Sequence, residues 1–193
     1  PGAAFGAAGA AARAALVVRY ARSIGLTTST DAGEQRPTDL SSLSVGASWR
    51  TAPFSAAGVV VTPSLAYRSE RLAVRPALPG LADQALTGVE VRVGFALRAT
   101  GGLTLLAAAA YVHWMEAGGL VGDSDALFPA GSAYGLEAEA GLDLRVAGPV
   151  SLRVVGEYGT TRYALDPDPA GLRSADGARD TALGGRVGVR IAL

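Results

Sequence analysis

The sequence predicts an all-β chain that folds as an eight-stranded, antiparallel, up-and-down transmembrane β-barrel, and three observations lead to this prediction. In residues 133–148, AYGLEAEAGLDLRVAG, apolar side chains alternate with charged or small ones over more than a dozen positions. This period of two is typical of a strand, because a helix would spread the carboxylates around its circumference. The second observation is length: a globular strand has about 5 to 6 residues, whereas a tilted membrane-spanning strand has about 9 to 11. The third is that long and short connections alternate along the chain.

The composition agrees with strands and argues against several functions. The chain has 193 residues, enough for one domain, and 26 glycines, which are disfavoured inside helices. Although 49% of the residues are hydrophobic, no apolar run reaches the length of about 18 residues that a transmembrane helix needs. A net charge of zero argues against a nucleic-acid surface. The absence of cysteine excludes disulfides and thiolate chemistry, and we expect no cofactor.

The chain divides into a leader and one barrel domain. Residues 1–12, PGAAFGAAGAAA, are predicted to be flexible, with an alanine-rich helix as the alternative, and residues 13–193 form the barrel. The predicted strands cover residues 13–25, 40–51, 57–70, 87–99, 103–116, 133–148, 150–164 and 180–193. The long connections, rich in Gly, Pro, Asp and Ser, cover residues 26–39, 71–86, 117–132 and 165–179.

Each strand of the first half has one apolar row opposite a polar one. Pro63 interrupts the third strand and predicts a bulge there, because proline cannot donate to the ladder. The apolar rows of the first four strands are Leu16, Val18 and Tyr20; Leu43, Val45, Ala47 and Trp49; Val59, Val61, Leu65 and Tyr67; and Val89, Val91, Val93, Phe95 and Leu97.

The second half repeats the pattern with one ambiguous element. In the fifth strand both faces are apolar around Ala107 to Ala110, so a helix is the alternative there. The apolar rows of the last three strands are Tyr134, Leu136, Ala138, Ala140, Leu142, Leu144 and Val146; Leu152, Val154 and Tyr158; and Leu183, Val187, Val189, Ile191 and Leu193.

The alternation of connections predicts an orientation. Every second connection is minimal, and both chain ends lie on the side of the short turns. Transmembrane barrels have short periplasmic turns and longer extracellular loops. We therefore expect a barrel in the outer membrane of a Gram-negative bacterium, with periplasmic termini and four surface loops. A soluble barrel or sandwich is the alternative, since the period alone does not tell inside from outside.

The polar rows predict a charged lumen. Eight strands enclose a space that side chains just fill, and a lone buried charge costs several kcal/mol, so we expect Arg–carboxylate networks. Pairing about the Gly148 turn would place Asp143 opposite Arg153. A narrow or gated pore is the alternative to a filled lumen. The predicted lumen charges are Arg19, Arg50, Arg68, Glu90, Arg92, Arg98, Glu137, Glu139, Asp143, Arg145, Arg153, Glu157, Arg186 and Arg190.

Aromatic residues with a polar tip favour the bilayer interface and are predicted to form two girdles. Trp49 falls towards the short turns, and the others fall towards the long connections. The predicted interface aromatics are Tyr20, Trp49, Tyr67, Tyr111, Trp114, Tyr134 and Tyr158.

With this architecture the chain resembles the small eight-stranded outer-membrane barrels of the OmpA/OmpX type over residues 13–193. Its last strand, with Gly185 and alternating Val187, Val189 and Ile191, resembles their C-terminal assembly signal, although that signal ends in an aromatic residue where this chain has Leu193. The resemblance implies a membrane anchor or surface-interaction protein. Its partners would be outer-membrane lipids including lipopolysaccharide, and a protein bound at the extracellular loops or through an upstream domain, but no nucleic acid.

Two groups of residues offer chemical alternatives, the sole histidine and the acids of the loops. His113, the sole histidine, lies where similar barrels, the lipid A deacylases and palmitoyltransferases, place a histidine with a serine and a carboxylate. The deacylase pattern has serine two residues after the histidine, and Met115 stands there, so we expect no enzyme and keep a lipid-modifying activity as the alternative. Paired acids in a turn can bind calcium; we expect solvated loops instead, and no metal. These acids are Asp123, Asp125, Asp166, Asp168, Asp176 and Asp180.

Overall fold

The computed structural model describes residues 13–23, 27–29, 35–54, 58–75, 83–99, 101–118, 121, 128, 130–166 and 176–191. The predicted leader at residues 1–12 and the acids Asp123, Asp125 and Asp168 lie outside these ranges. The strands are β1 (Ala14–Arg22), β2 (Thr27–Ser29), β3 (Gln35–Trp49), β4 (Thr51–Phe54), β5 (Val59–Val74), β6 (Gln84–Arg98), β7 (Leu103–Gly118), β8 (Gly131–Ala147), β9 (Val150–Leu165) and β10 (Gly177–Ile191).

Eight long strands form one antiparallel sheet in the order β1, β3, β5, β6, β7, β8, β9, β10, and the short β2 and β4 extend it beside β3 and β5. This confirms the predicted all-β, eight-stranded, up-and-down fold. The helix alternative for residues 103–116 is wrong, because these residues belong to β7. Within the described residues β1 and β10 are the two edges of the sheet and do not pair with each other. The sheet is strongly curled, with an open seam between these edges.

The strands run further towards the long connections than the apolar pattern predicts. β3 begins at Gln35, within the predicted loop 26–39, and β5 continues to Val74, within the predicted loop 71–86. A backbone ladder needs N–H and C=O groups and no apolar side chain, so polar residues can prolong it. Even Pro37 takes part, since its carbonyl accepts a hydrogen bond from the Arg75 N–H at 2.9 Å.

Pro63 does not form a bulge in its own strand. It is paired with Val93 in a β5–β6 register that runs without a shift. The irregularity lies on the other side of β5, where the β3 ladder ends opposite Ser64 and the sheet continues as β4 after Arg50. Proline has no N–H for that neighbour, so the ladder lapses there and the β5 backbone stays regular.

The two faces of the sheet have opposite character. Side chains that contact each other across non-neighbouring strands must lie on the concave face, and these side chains are charged, as described below. The convex face exposes large apolar side chains on all eight long strands, from Leu16 at 75% exposure to Leu183 at 85%. Among the described residues of the strands, the charged side chains of the convex face stand near the long connections; they are Arg22, Asp39, Arg71, Glu116, Arg162 and Arg179. The described strands are thus inside-out relative to a water-soluble fold.

Buried apolar residues of the described part form a cluster at the long-connection end of the concave face. Val112 is fully buried in it, and Val121 and Phe128, from the connection between β7 and β8, belong to the same cluster. We call this cluster the apolar cap; its members are Leu86, Val112, Trp114, Ala117, Val121, Phe128, Ala133, Tyr163 and Leu165.

Candidate functional site

Below the apolar cap, charged side chains from six strands meet on the concave face. They alternate with small residues, so that each guanidinium reaches across at least one strand to a carboxylate. We call this group the concave network; its members are Arg19, Arg68, Glu70, Glu90, Arg92, Glu137, Glu139, Glu157 and Arg186.

Arg68 on β5 is the centre of the network. Its guanidinium donates to Glu70 at 2.8 Å, to Glu90 at 3.4 Å and to Glu137, which lies on β8. The same guanidinium carbon stands 5.6 Å from the centre of the Trp114 ring, a cation–π distance. Arg68 therefore joins three carboxylates to the apolar cap above them.

Glu90 is the most deeply buried acid, at 1% exposure. Its two oxygens take different arginines, because Arg19 on β1 donates to Oε1 and Arg68 donates to Oε2. A buried carboxylate is tolerated only when such donors satisfy it. Glu90 thereby connects the edge strand β1 to the middle of the sheet.

Glu139 on β8 connects the other edge strand, β10, to the middle of the sheet. Its Oε2 pairs with Arg92, and its Oε1 accepts a hydrogen bond from Arg186 Nη2 at 2.9 Å. Arg186, on the edge strand β10, also pairs with Glu157 through its Nε. Both edges of the seam are thus held towards the centre of the concave face by arginine side chains.

The long-range ion pairs are displaced from the backbone register in one direction. Following the pairings from Arg19 through β3 and β5 leads to Gly88 on β6, yet Arg19 contacts Glu90, two residues nearer the short turns. The pair Arg68 with Glu137 shows an offset of four residues in the same direction over three steps. A sign that stays constant across the sheet is what strand tilt in a barrel produces.

The predicted pair Asp143 and Arg153 is confirmed. The two residues are partners in the β8–β9 register, and Arg153 Nη2 donates to Asp143 Oδ2 at 2.8 Å. The two-residue turn at Gly148, which has φ of 49°, pairs Ala147 with Val150. One extra residue of β8 between Arg145 and Ala147 then shifts the register, so that Asp143 lies opposite Arg153.

The remaining predicted lumen arginines do not join the network. Arg50, Arg98 and Arg145 stand at the short-turn ends of their strands, exposed, and make no ion pair with any described residue. Arg190 lies in β10 on the same row as Arg186, and its side chain is outside the described part. The predicted lumen charges therefore fall into two groups, a paired centre and an arginine-rich end near the short turns.

Trp114 corrects the predicted aromatic girdle. Its indole lies on the concave face at 5% exposure, inside the apolar cap, and not at an outer surface. Because both rows of β7 are apolar, the alternation of its sequence does not tell which row faces out. The register shift opposite Thr87 and Gly88 adds one residue, Met115, to β7, so that Glu116 moves to the convex face beside Thr87.

The other predicted aromatics lie on the convex face, where Tyr111 and Tyr134 stack with ring centres 6.2 Å apart. Tyr20, Tyr67 and Tyr158 are exposed in the half of the sheet nearer the long connections, and Trp49 is the last residue of β3 at the other end. Tyr163, which is not among the predicted aromatics, donates its hydroxyl to Asp180 Oδ2 at 3.0 Å on the concave face. The alternation of β9 is the available signal, because it places Tyr163 on the same row as Arg153 and Glu157.

One ion pair joins two strand ends at a long connection. Arg75 donates to both oxygens of Asp83, at 3.0 and 2.8 Å, between the end of β5 and the start of β6. The hydrogen bond from Arg75, with the nearby charges of Arg75 and Arg71, holds the pKa of the Asp83 carboxyl below its usual range. The same pairing raises the pKa of Arg75.

His113 points from the convex face of β7, and its register partners are Val89 and Tyr134. Neither partner is a serine or a carboxylate, and within the described residues no hydrogen bond to its ring is formed. No group of three or more His, Asp or Glu residues of the described ranges has a metal-binding arrangement. None of the described residues forms a helix long and apolar enough to cross a membrane.

Comparison of the chain with protein-family models, with curated proteins and with solved structures finds no significant match.

Proposed function

We propose that the chain is an integral β-barrel of a bacterial outer membrane, closed by pairing of β1 with β10, that acts as a membrane anchor or surface-interaction protein. The observation that carries this proposal is the inside-out distribution of the eight long strands. Large apolar side chains are exposed on the convex face, while Arg68, Glu90 and Glu139 are held on the concave one.

Lipid chains would cover the apolar side chains that the convex face exposes. Soluble monomers rarely expose contiguous apolar patches above a few hundred Å², and here the apolar band crosses every long strand. A transmembrane barrel has such an outward band, flanked by aromatic residues. The exposed Tyr20, Tyr67 and Tyr158 on one side and Trp49 on the other have positions suited to those flanks.

Closure follows from the same environment. In a bilayer each unpaired backbone group costs several kcal/mol, so a spanning sheet has no open edge. The offsets of the ion pairs average about one residue per strand, which over eight strands gives a stagger of about eight residues, as in other eight-stranded barrels. With that stagger the backbone of Val18 in β1 lies opposite the backbone of Val187 in β10, and Arg19 is the register partner of Arg186.

The filled interior favours an anchor over a pore. The apolar cap occupies the concave face at the long-connection end, and the concave network lies directly below it. The pore is the competing function, and planar-bilayer recording with purified protein separates the two. We expect no channel events, and steady conductance steps would establish the pore instead.

In this proposal the long connections face outward and the termini lie in the periplasm. The partners are outer-membrane lipids including lipopolysaccharide, together with a protein bound at the loops or through an upstream domain. No catalytic role is proposed for His113, because neither of its register partners, Val89 and Tyr134, is a serine or a carboxylate.

The membrane proposal is tested by the depth dependence of an arginine substitution. Val91 lies in the middle of the convex face of β6, and Ala85 lies on the same face near its long-connection end. In lipid vesicles, Val91→Arg should destabilise the folded protein by about 2–4 kcal/mol and Ala85→Arg by about 0–1 kcal/mol. Folding is followed by heat-modifiable migration on SDS gels and by urea titration.

Two results would contradict the proposal. Wild-type protein that stays in the aqueous phase on membrane fractionation, without a heat-modifiable band, is not an integral barrel. Equal effects of the two arginine substitutions in vesicles would mean that the convex face does not contact the hydrocarbon.

A further inference from the structure

The short-turn end of the concave face is rich in arginine. Three arginines stand on the inward row of their strands, Arg98, Arg145 and Arg153, and two more, Arg13 and Arg50, continue the inward rows just beyond β1 and β3. The only carboxylate among the described residues of this end is Asp143, and its partner is Arg153. We call this end the arginine mouth.

The arginines of the mouth are brought together by backbone geometry. The Arg50 N–H donates to the Arg13 carbonyl at 2.8 Å, so these two residues continue the β1–β3 register past its last pair. On the other side of the mouth the Arg145 N–H donates to the Gly102 carbonyl at 2.7 Å, which ties the β8 end to the β6–β7 turn. These hydrogen bonds fix the backbone positions from which Arg13, Arg50 and Arg145 extend at this end of the sheet.

A cavity of about 120 Å³ lies between the two short turns. Arg98 and Arg145 stand on its wall together with the hydroxyl-bearing Thr104 and Ser151. Asp143 also lines it, but this carboxylate is buried and hydrogen-bonded to Arg153. The cavity therefore has two guanidinium groups that are not engaged with a described acid, and two hydroxyl donors.

We propose that the arginine mouth binds phosphate groups in this cavity. The planar fork of a guanidinium matches the spacing of phosphate oxygens and binds them with two charge-assisted hydrogen bonds. The hydroxyls of Thr104 and Ser151 supply further donors to the same anion. The other arginines of the mouth, Arg13 and Arg50, attract anions to it from a distance.

The apolar cap makes this mouth a binding site and not a passage. It fills the concave face at the opposite end, so an anion enters and leaves on the side of the short turns. The phosphate has two sources, a free phosphorylated solute or the headgroup of a neighbouring phospholipid. The site itself does not depend on membrane insertion, since every contributing residue lies within the folded sheet and its turns.

The test uses inorganic phosphate and the full chain, folded in a detergent without phosphate. Binding is followed by NMR of the arginine side-chain N–H groups, at constant ionic strength set with chloride. Arg98→Gln with Arg145→Gln removes both guanidinium groups of the cavity. The matched control is Arg162→Gln with Arg179→Gln, two exposed arginines on the convex face near the long connections.

We expect saturable shifts of Arg98 and Arg145 in the wild-type protein and in the control. The double variant of the mouth should bind phosphate at least about tenfold more weakly, because two charge-assisted partners are lost. Folding of every variant is checked by its heat-modifiable migration. Shifts that never saturate, or that change equally in both double variants, would overturn the proposal, since they report general screening.

A second arm separates the sources. The protein is placed in nanodiscs of phosphatidylglycerol or of phosphatidylcholine, and the phosphate titration is repeated. Both lipids carry a phosphodiester, so weaker phosphate binding in either nanodisc than in the phosphate-free detergent identifies the lipid headgroup as occupant, and binding equal to that in detergent identifies a free solute. If the protein does not enter detergent or nanodiscs, the membrane proposal fails, and the titration in aqueous buffer still tests the mouth.

Discussion

Arg68 and Glu137 form an ion pair although 69 residues and two intervening strands separate them. In a flat sheet β5 and β8 would be three strand spacings apart, too far for one arginine side chain to span, so the contact requires a strongly curved sheet. The contact thus reports the curvature of the whole fold. Arg68 is also the cation that contacts all three carboxylates at the centre of the concave face, those of Glu70, Glu90 and Glu137.

Replacement of Arg68 by alanine should destabilise the fold by about 3–5 kcal/mol, because it leaves buried carboxylates without their partner. Glu70 and Glu137 would then face each other with no arginine between them. The free energy of unfolding is measured by urea titration in detergent. Arg71→Ala is the control on the same strand, since Arg71 is exposed on the convex face and its pair with Asp83 is long, at 3.8 Å. A loss below about 1 kcal/mol for both variants would contradict the central role of Arg68.

The proposed closure predicts a disulfide across the seam. The chain has no native cysteine, so Val18→Cys with Val187→Cys introduces a single pair. A stagger of about eight residues places these two positions opposite each other, within the Cα separation of about 4.4–6.8 Å that a disulfide needs. Oxidation in the folded state should give a crosslinked species with altered SDS mobility.

The positive control for that experiment is Val18→Cys with Val45→Cys, a pair present in the β1–β3 register. The negative control is Val18→Cys with Leu183→Cys. Leu183 lies on the same face of β10 as Val187, four residues further from the short turns. Crosslinking of the positive control alone would mean that the seam stays open.

A methyl group at Gly46 should be poorly tolerated. A Cβ there would overlap the Leu65 carbonyl oxygen and the Ala66 Cα on the neighbouring strand, where only backbone could give way. Gly46→Ala should cost about 1–3 kcal/mol by overpacking. Gly94→Ala is the matched control, because its nearest neighbour is the Thr62 carbonyl oxygen at 3.7 Å, an ordinary contact. Equal urea midpoints of the two variants would show that β3 and β5 leave room for a methyl group at Gly46.

The Arg75–Asp83 pair predicts a pH dependence at the β5–β6 end. Since the folded-state pKa of Asp83 is lowered, its ionised form favours the folded state above the unfolded value of about 3.9. That contribution is lost as the pH falls through the folded-state pKa. Carboxyl-carbon NMR should show Asp83 titrating below the usual range, and Arg75→Gln should return it upwards. An unchanged Asp83 titration in Arg75→Gln would exclude the hydrogen bond as the cause.

Local pairing was predictable from the sequence, and long-range contact was not. Asp143 and Arg153 could be matched because both lie a few residues from one tight turn, which leaves few possible registers, and the extra residue beside Ala147 selects the one that joins them. Arg68 and Glu137 could be assigned to the polar row but not to each other, because their contact depends on curl and tilt accumulated over three strand steps.

Two of the wrong predictions, the position of Trp114 and the ends of the strands, have the same physical origin. Trp114 was assigned to an outer girdle because the apolar rows of β7 do not distinguish its faces. The strand ends were placed too early because polar residues such as Gln35 and Thr38 interrupt the apolar pattern, although their backbone groups continue the ladder. Side-chain alternation describes the apolar band of the sheet, and the hydrogen-bonded strands are longer than that band.

The ion pairs that skip strands also bear on cooperativity. Arg19 joins β1 to β6, and Arg186 joins β10 to β8, so neither edge can detach without exposing a carboxylate elsewhere in the sheet. Hairpins of an ordinary meander can open one at a time, but here loss of one strand removes the counterion of another. The sheet should therefore assemble and unfold as a single unit, slowly, as expected for a fold dominated by contacts distant in sequence.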